Sequence, residues 1–379
     1  MSRLRDHPWS INWRKALVSA PRLVPDLALR YTSKTGPQPI NLKIPCRTAN
    51  RTIPLSVFIP PETSLKPGTT HVPVVLDHHG GSMILGTTAE QAPFCARLCR
   101  ELGCIVISVD YALGPYEQFP AANYDCEDVV YAVLDSTRPV YRDLRAGMTE
   151  HLVKLGRTSL DIDPTHIAIT GFSSGGNLAL ELVLDLQPPV LPTAWPSPFP
   201  AAHPKTIPVL LYYPSLDARL LPNERPYPEG MTPKVQKGIV KKLDLETHLM
   251  PTYLPRDKAS HPRASPGLVP ISALHPKAEI LLYLCQLDTL SAQSLAWIEA
   301  VKEGKRDATL KVVTAMGVPH GFNVFPDAWL KEEHRKLKKE SYKLAVDFIR
   351  EKWGMEKVEG GGVEDDDEVA GLEAEGSSH

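Results

Sequence analysis

The stretch from Ile167 to Leu184 limits the fold more than any other part of this chain. Ile167-Ala168-Ile169-Thr170 is compact and largely β-branched, as a short buried strand requires. Asn177-Leu178-Ala179-Leu180-Glu181-Leu182-Val183-Leu184 is compatible with a helix. Between them lies Gly171-Phe172-Ser173-Ser174-Gly175-Gly176, a Gly-x-Ser-x-Gly turn. A strand that passes straight into a helix cramps the backbone and forces at least one unfavourable φ, so small residues must flank the turn. The apex residue is then pushed out of the sheet, toward a cleft above the helix N-terminus. Here the apex is Ser173.

The rest of the chain alternates in the same way. Two strands are expected within residues 40–60, around Arg47-Thr48-Ala49-Asn50. Buried strands are expected at His71–Asp77, Cys104–Tyr111, Val209–Pro214, Glu279–Leu284 and Leu310–Val313. Helices are expected at Gln91–Leu102, Tyr124–Leu134, within 136–160 and at Glu340–Lys352, whose apolar face carries Leu344, Phe348 and Ile349. Near-continuous apolar strands alternating with helices imply an α/β protein with a mostly parallel sheet covered on both faces.

Three segments stand outside this alternation. Residues 1–40 hold Trp9, Ile11, Trp13, Leu17, Val18 and Leu23 at roughly helical spacing, broken by Pro21 and Pro25. They read as a helical arm on the body and part of a cap. Residues 218–265 have no strand pattern and read as an insertion within a domain spanning 41–353. The tail, 354–379, is acidic and glycine-rich, a composition that stays disordered. The chain has 37 prolines, about twice the usual share, which predicts long ordered loops such as 187–208.

Composition excludes several roles. From Glu356 onward nine acidic residues face one lysine, so the remainder is only modestly basic, and it has no basic stripe for nucleic acid. The six cysteines form no Cys-x-x-Cys pair and no metal spacing, and Cys95 and Cys99, one helical turn apart, read as core. No metal or cofactor is expected. No signal-peptide stretch and no run long enough to span a membrane is visible, so a cytoplasmic, reducing setting is the expectation.

A serine hydroxyl becomes a nucleophile only with a base, a group to orient that base, and donors for the oxyanion that forms. In a parallel α/β sheet these gather at the carboxyl ends of strands. After the last strand comes Met316-Gly317-Val318-Pro319-His320-Gly321-Phe322, and after the one before it Leu284-Cys285-Gln286-Leu287-Asp288. The order Ser173, Asp288, His320 suits nucleophile, acid and base. Backbone donors are expected from Ser174, at a helix start, and from the turn His79-Gly80-Gly81-Ser82.

These pieces resemble the hormone-sensitive-lipase-type family of α/β-hydrolases. That family carries His-Gly-Gly-Gly, Asp-Tyr-Arg-Leu-Ala-Pro, Gly-Asp-Ser-Ala-Gly-Gly, Asp-Pro-Leu and His-Gly-Phe. Here the matching stretches are His79-Gly80-Gly81-Ser82, Asp110-Tyr111-Ala112-Leu113-Gly114-Pro115, Gly171–Gly176, Asp288-Thr289-Leu290 and His320-Gly321-Phe322. The resemblance covers about residues 50–350. It implies the α/β-hydrolase fold, with an eight-stranded, mostly parallel sheet and a helical cap. It also implies Ser173, His320 and Asp288 as triad, Gly81, Ser82 and Ser174 as oxyanion donors, and Met83, Phe172 and Phe322 beside the substrate. Ser82 stands for the last glycine of the turn, Phe172 for the usual acid, and Ala292 for a frequent second acid.

The implied function is a serine hydrolase acting on a small-molecule ester. Within the same class the acyl donor is alternatively a thioester on coenzyme A or an acyl carrier protein, with water or an alcohol as acceptor. The proline-rich insertions and acidic tail resemble fungal hydrolases of secondary metabolism. A non-catalytic receptor on the same fold is the alternative from another class; such receptors lose the base histidine, which is present here as His320.

Overall fold

The computed structural model describes residues 36–157, 160–231 and 245–356. The expected arm therefore lies almost wholly outside the described residues, as do most of the acidic tail and the middle of the insertion.

Eight strands form one sheet in the order β1-β2-β4-β3-β5-β6-β7-β8. They are β1 (Ile40–Pro45), β2 (Thr52–Phe58), β3 (His71–His78), β4 (Ile105–Val109), β5 (Asp161–Phe172), β6 (Ile207–Tyr212), β7 (Ala278–Leu287) and β8 (Leu310–Pro319). β1 and β2 pair antiparallel, as do β2 and β4. All pairings from β4 through β3, β5, β6 and β7 to β8 are parallel. The carboxyl ends of β3, β5, β6, β7 and β8 consequently lie along one edge of the sheet.

The period-two alternation sorts each strand between two cores. Val74, Leu76, Ile105, Ile107, Val209 and Leu211 enter one cluster. Their neighbours Val75, Val106, Leu210 and Tyr212 enter the other. The second cluster is closed by α1 (Ala92–Leu102) and by a long C-terminal helix at Glu332–Lys352. The first is closed by α2 (Ala121–Leu134), α3 (Pro139–Lys154), α4 (Ser174–Glu181) and a helix at Ser291–Glu303. Cys95 and Cys99 are fully buried on α1, where the helical spacing puts them.

Several elements differ from the sequence expectation: a helix at Ser291–Glu303 lies where none was expected, and β7 and β8 run on to Leu287 and Pro319. β5 begins at Asp161 and pairs His71 and Val72 with Asp161 and Ile162 before its register shifts. The intervening Asp163-Pro164-Thr165-His166 segment carries its own side-chain bonds, with Thr165 and His166 both meeting the Asp163 carboxylate. α4 starts at Ser174, so Gly175 and Gly176 lie inside it. α5 (Leu245–Tyr253) is followed by α6 (Ser291–Glu303) and α7 (Glu332–Lys352), and α7 starts eight residues before the expected Glu340. Its first turns are nearly all charged, which hides them from an apolar-periodicity reading, yet Glu332 and Glu333 suit the positive end of the helix dipole.

The two glycines in α4 are there for lack of space. A Cβ on Gly175 would sit 2.1 Å from the His78 carbonyl oxygen and 2.4 Å from that of His79. One on Gly176 would sit 2.8 Å from Pro214 Cβ. Gly175→Ala is expected to push α4 off the end of β3 and to cost about 1–3 kcal/mol or more. A urea unfolding curve checks this: a midpoint matching the parent protein would show that the contact can relax.

Candidate active site

Ser173 sits at φ 54° and ψ −113°, a region that L-residues with side chains rarely occupy, at a cost of about 1–3 kcal/mol. The surrounding backbone holds it there. Ser173 N–H donates to the Tyr212 carbonyl at 2.9 Å, and the Ser173 carbonyl accepts from Ser215 at 3.0 Å and Asn177 at 3.3 Å. β6 and its following loop thus clamp both sides of the apex. Asn177, on α4, also donates its side-chain amide to the Ser215 and Ala264 carbonyls at 2.7 and 2.9 Å.

The turn after β3 lies against this apex. A Cβ on Gly80 would meet Ser173 Cβ at 3.4 Å. Gly81, Ser82 and Met83 all have positive φ, at 117°, 57° and 61°. Leu85 and Ile84 donate back to the Gly81 carbonyl at 2.7 and 3.0 Å, closing the turn. Among the described residues, the N–H groups of Gly81 and Ser82 donate to no acceptor. The Ser174 N–H, first in α4, has no intrahelical acceptor either. Tyr111 fixes the start of the turn: its hydroxyl donates to the His79 carbonyl at 2.6 Å and its ring stacks on His79 at 4.3 Å.

His320 and Asp288 arrive from β8 and β7. A register shift after Cys285 brings Leu287 opposite Pro319 and aligns the two strand ends. Gly321 then takes a left-handed φ of 73°, turning the chain back. His320 Nε2 lies 2.9 Å from Ser173 Oγ, and His320 Nδ1 lies 2.7 Å from Asp288 Oδ2. A carboxylate can only accept, so Nδ1 carries the proton and Nε2 is left to accept from the serine hydroxyl. The other Asp288 oxygen accepts from the Leu290 N–H at 2.9 Å. Asp288 is 3% exposed, and Tyr213 lies edge-on to the imidazole at 4.7 Å. Ser173, Asp288 and His320, 147 residues apart at the extremes, are thus one hydrogen-bonded chain.

This chain opens into a cavity of about 500 Å³, lined among others by Met83, Phe119, Tyr213, Met250 and Val324. Among the described residues no cluster of side chains is suited to a metal ion, and no helix is long and apolar enough to cross a membrane.

A family model described as alpha/beta hydrolase fold matches residues 75–324. The chain belongs to the α/β-hydrolase family, in its hormone-sensitive-lipase-like branch. An AB hydrolase superfamily protein of Schizosaccharomyces pombe is 27% identical over 270 residues, covering 71% of this chain and 67% of that protein. Human arylacetamide deacetylase-like 2 is 28% identical over 55% of this chain and 43% of its own length. Lipase 2 of a Moraxella strain is 27% identical over 67% of this chain and 55% of its own. The chain therefore spans about half the length of the latter two. A hyperthermophilic esterase from Pyrobaculum calidifontis superposes with a TM-score of 0.61 at 21% identity, covering 91% of this chain and 99% of that one. Fungal esterases from Rhizomucor miehei give 0.60 at 19% identity, covering 92% and 96%. Both structures share the fold.

The structure also places the remaining residues expected at the site. Met83 lines the cavity, and its carbonyl accepts from Gly114 at 2.9 Å. Phe172 touches the cavity but is 1% exposed, stacked on Tyr212 at 4.5 Å and edge-on to Phe94 at 5.2 Å. It is above all a core residue under the turn. Phe322 does not line the cavity. The short turn after Gly321 points its ring into the core beside Tyr283, and Val324 and Phe325 line the cavity instead.

Sequence reading missed the polar framework beneath the site. Glu181 of α4 and Arg263 form a fully buried ion pair at 2.8 Å. Burial drives the Glu181 carboxyl upward and Arg263 opposes this. Arg263 also donates to the Trp195 and Pro196 carbonyls, so it ties the insertion and the proline-rich loop to the helix behind Ser173. Asp77 is buried at the end of β3, where Thr170 and Ser108 donate to its two oxygens at 2.8 Å each, and desolvation raises its pKa to about 6. No local pattern marks these residues, because their partners are distant in sequence.

His78, under α4, is held neutral, since desolvation lowers its pKa to about 4 while a bond to the Thr170 carbonyl opposes that only in part. The unfolded chain takes up this proton near pH 6.5. Between those two values the unfolded state binds more protons, so the fold loses stability as pH falls, by about 3 kcal/mol in all. His78→Gln removes this penalty. The stability gap between parent and variant at pH 7 is expected to shrink as pH falls from 6.5 to 4, measured by urea midpoints. A constant gap would mean that His78 is not desolvated.

Proposed function

We propose that this protein is a carboxylic ester hydrolase working through Ser173, His320 and Asp288. The observation that carries the reading is the pair of bonds on one imidazole, 2.9 Å to Ser173 Oγ and 2.7 Å to Asp288 Oδ2. A receptor on this fold would have no need of that base. Relatives whose names include lipase and arylacetamide deacetylase support the same class.

In this reading His320 Nε2 takes the Ser173 proton as Oγ attacks the ester carbonyl carbon. Asp288 holds the tautomer and offsets the imidazolium charge. The carbonyl oxygen becomes an oxyanion and accepts from the N–H groups of Gly81, Ser82 and Ser174, which are already fixed by the turn and the helix start. Ser82 serves through its backbone, so a side chain there is compatible with the role. The tetrahedral intermediate collapses, and the leaving alkoxide takes the proton from His320. Water then attacks the acyl-serine with His320 again as base, and a carboxylic acid leaves. A cavity of about 500 Å³ suits a small or mid-sized ester. Residues 219–231 and α5, both of which contribute lining residues, act as its cap.

A fluorophosphonate probe is expected to label Ser173 in the folded protein. Ser173→Ala and Asp288→Asn are expected to lower p-nitrophenyl butyrate kcat on the order of 10³-fold or more. Labelling elsewhere, or turnover surviving Ser173→Ala, would overturn the assignment.

A further inference from the structure

Arg225 lies in the insertion and lines the same cavity as Ser173. The residue is half-buried in the cavity wall, and burial holds its pKa below the ordinary arginine value. A half-buried guanidinium in a cavity wall gains most from a carboxylate, which its fork of donors fits. Among the described residues Arg225 has none. Its single protein bond runs from Nε to the Leu220 carbonyl at 3.3 Å, which leaves both terminal nitrogens without a described acceptor.

The neighbouring acids are committed or out of reach. Asp217 is gripped by Arg219, with Nε and Nη2 at 3.0 and 2.7 Å. Asp288 is held by His320 and Leu290. Glu246 lines the cavity and acts on Arg225 through its field, but it forms no ion pair with it. A rigid fork of donors with an open end, facing a cavity that also holds a nucleophilic serine, matches the geometry of a carboxylate.

We propose that Arg225 anchors a carboxylate on the substrate, so that the preferred esters are anionic: half-esters of dicarboxylic acids, or esters whose alcohol portion bears a carboxylate. This rests on the ester-hydrolase reading and names its substrate class. The guanidinium would bind the charge in ground and transition states alike, so its loss would appear mainly in KM. Glu246, of the same sign as the substrate, would oppose binding.

Two substrate pairs test this in the full-length protein: p-nitrophenyl hemiglutarate against p-nitrophenyl pentanoate, and 4-acetoxybenzoate against phenyl acetate. The readout is the ratio of kcat/KM for the anionic to the neutral member, which cancels any loss of folded protein. Arg225→Gln is expected to lower this ratio about fivefold or more in at least one pair, carried by KM, as loss of a charge-assisted bond predicts. Arg225→Lys should retain part of the preference, and Glu246→Gln should raise it. A smaller change than that in both pairs overturns the proposal.

Binding of monoethyl glutarate to Ser173→Ala, followed by calorimetry, separates the two readings. If binding requires Arg225 while the parent protein hydrolyses no ester, the anchor stands and the hydrolase reading falls. If neutral esters are hydrolysed but neither rates nor binding depend on Arg225, the anchor falls and the hydrolase reading stands.

Discussion

The cleft depends on how closely the start of α4 is pressed onto the end of β3. Gly175 rests against the carbonyls of His78 and His79, and Gly80 rests against Ser173. This contact does two things at once. It forces Ser173 into its unfavourable backbone conformation, with the hydroxyl raised out of the sheet. It also places the N–H groups after β3 beside the N–H groups at the start of α4. Any side chain at Gly175 would separate the two, so the glycine pattern serves proximity more than turn flexibility.

The strain at Ser173 is maintained by groups outside the turn. Tyr212 and Ser215 bond the apex from β6 and its loop, and Asn177 links α4 to the same loop and to Ala264. Glu181 and Arg263 then lock the far end of α4 to the insertion and to the loop carrying Trp195. Breaking such a buried pair from one side leaves a charge without a partner, which costs more than the pair itself contributes. The insertion is therefore fastened to the helix behind the serine, and the same insertion brings Arg225, Met250 and Tyr253 to the cavity.

Much of this was legible in the amino-acid order. The strand–turn–helix around Ser173 follows from local composition, and the burial of alternate strand residues follows from period two. His320 and Asp288 were found because a parallel sheet delivers its strand ends to one edge, so chain order alone predicts their meeting. The less legible features have a common cause. The start of α7 is charged, and no apolar stripe announces it. Phe322 sits beside His320 in sequence, yet one left-handed glycine turns its ring away from the cavity. Arg263 and Glu181 are 82 residues apart, and neither type of residue is expected in a core.

The sequence by itself determined the sheet, the serine at the apex of its turn and the identity of its partners, because those depend on periodicity, glycine placement and strand order. The tertiary structure decided the distances from His320 to Ser173 and Asp288, the neutral state of His78, the buried support under α4 and the position of Arg225 over the cleft. These depend on which distant residues share a low-dielectric space, and a linear pattern does not encode that.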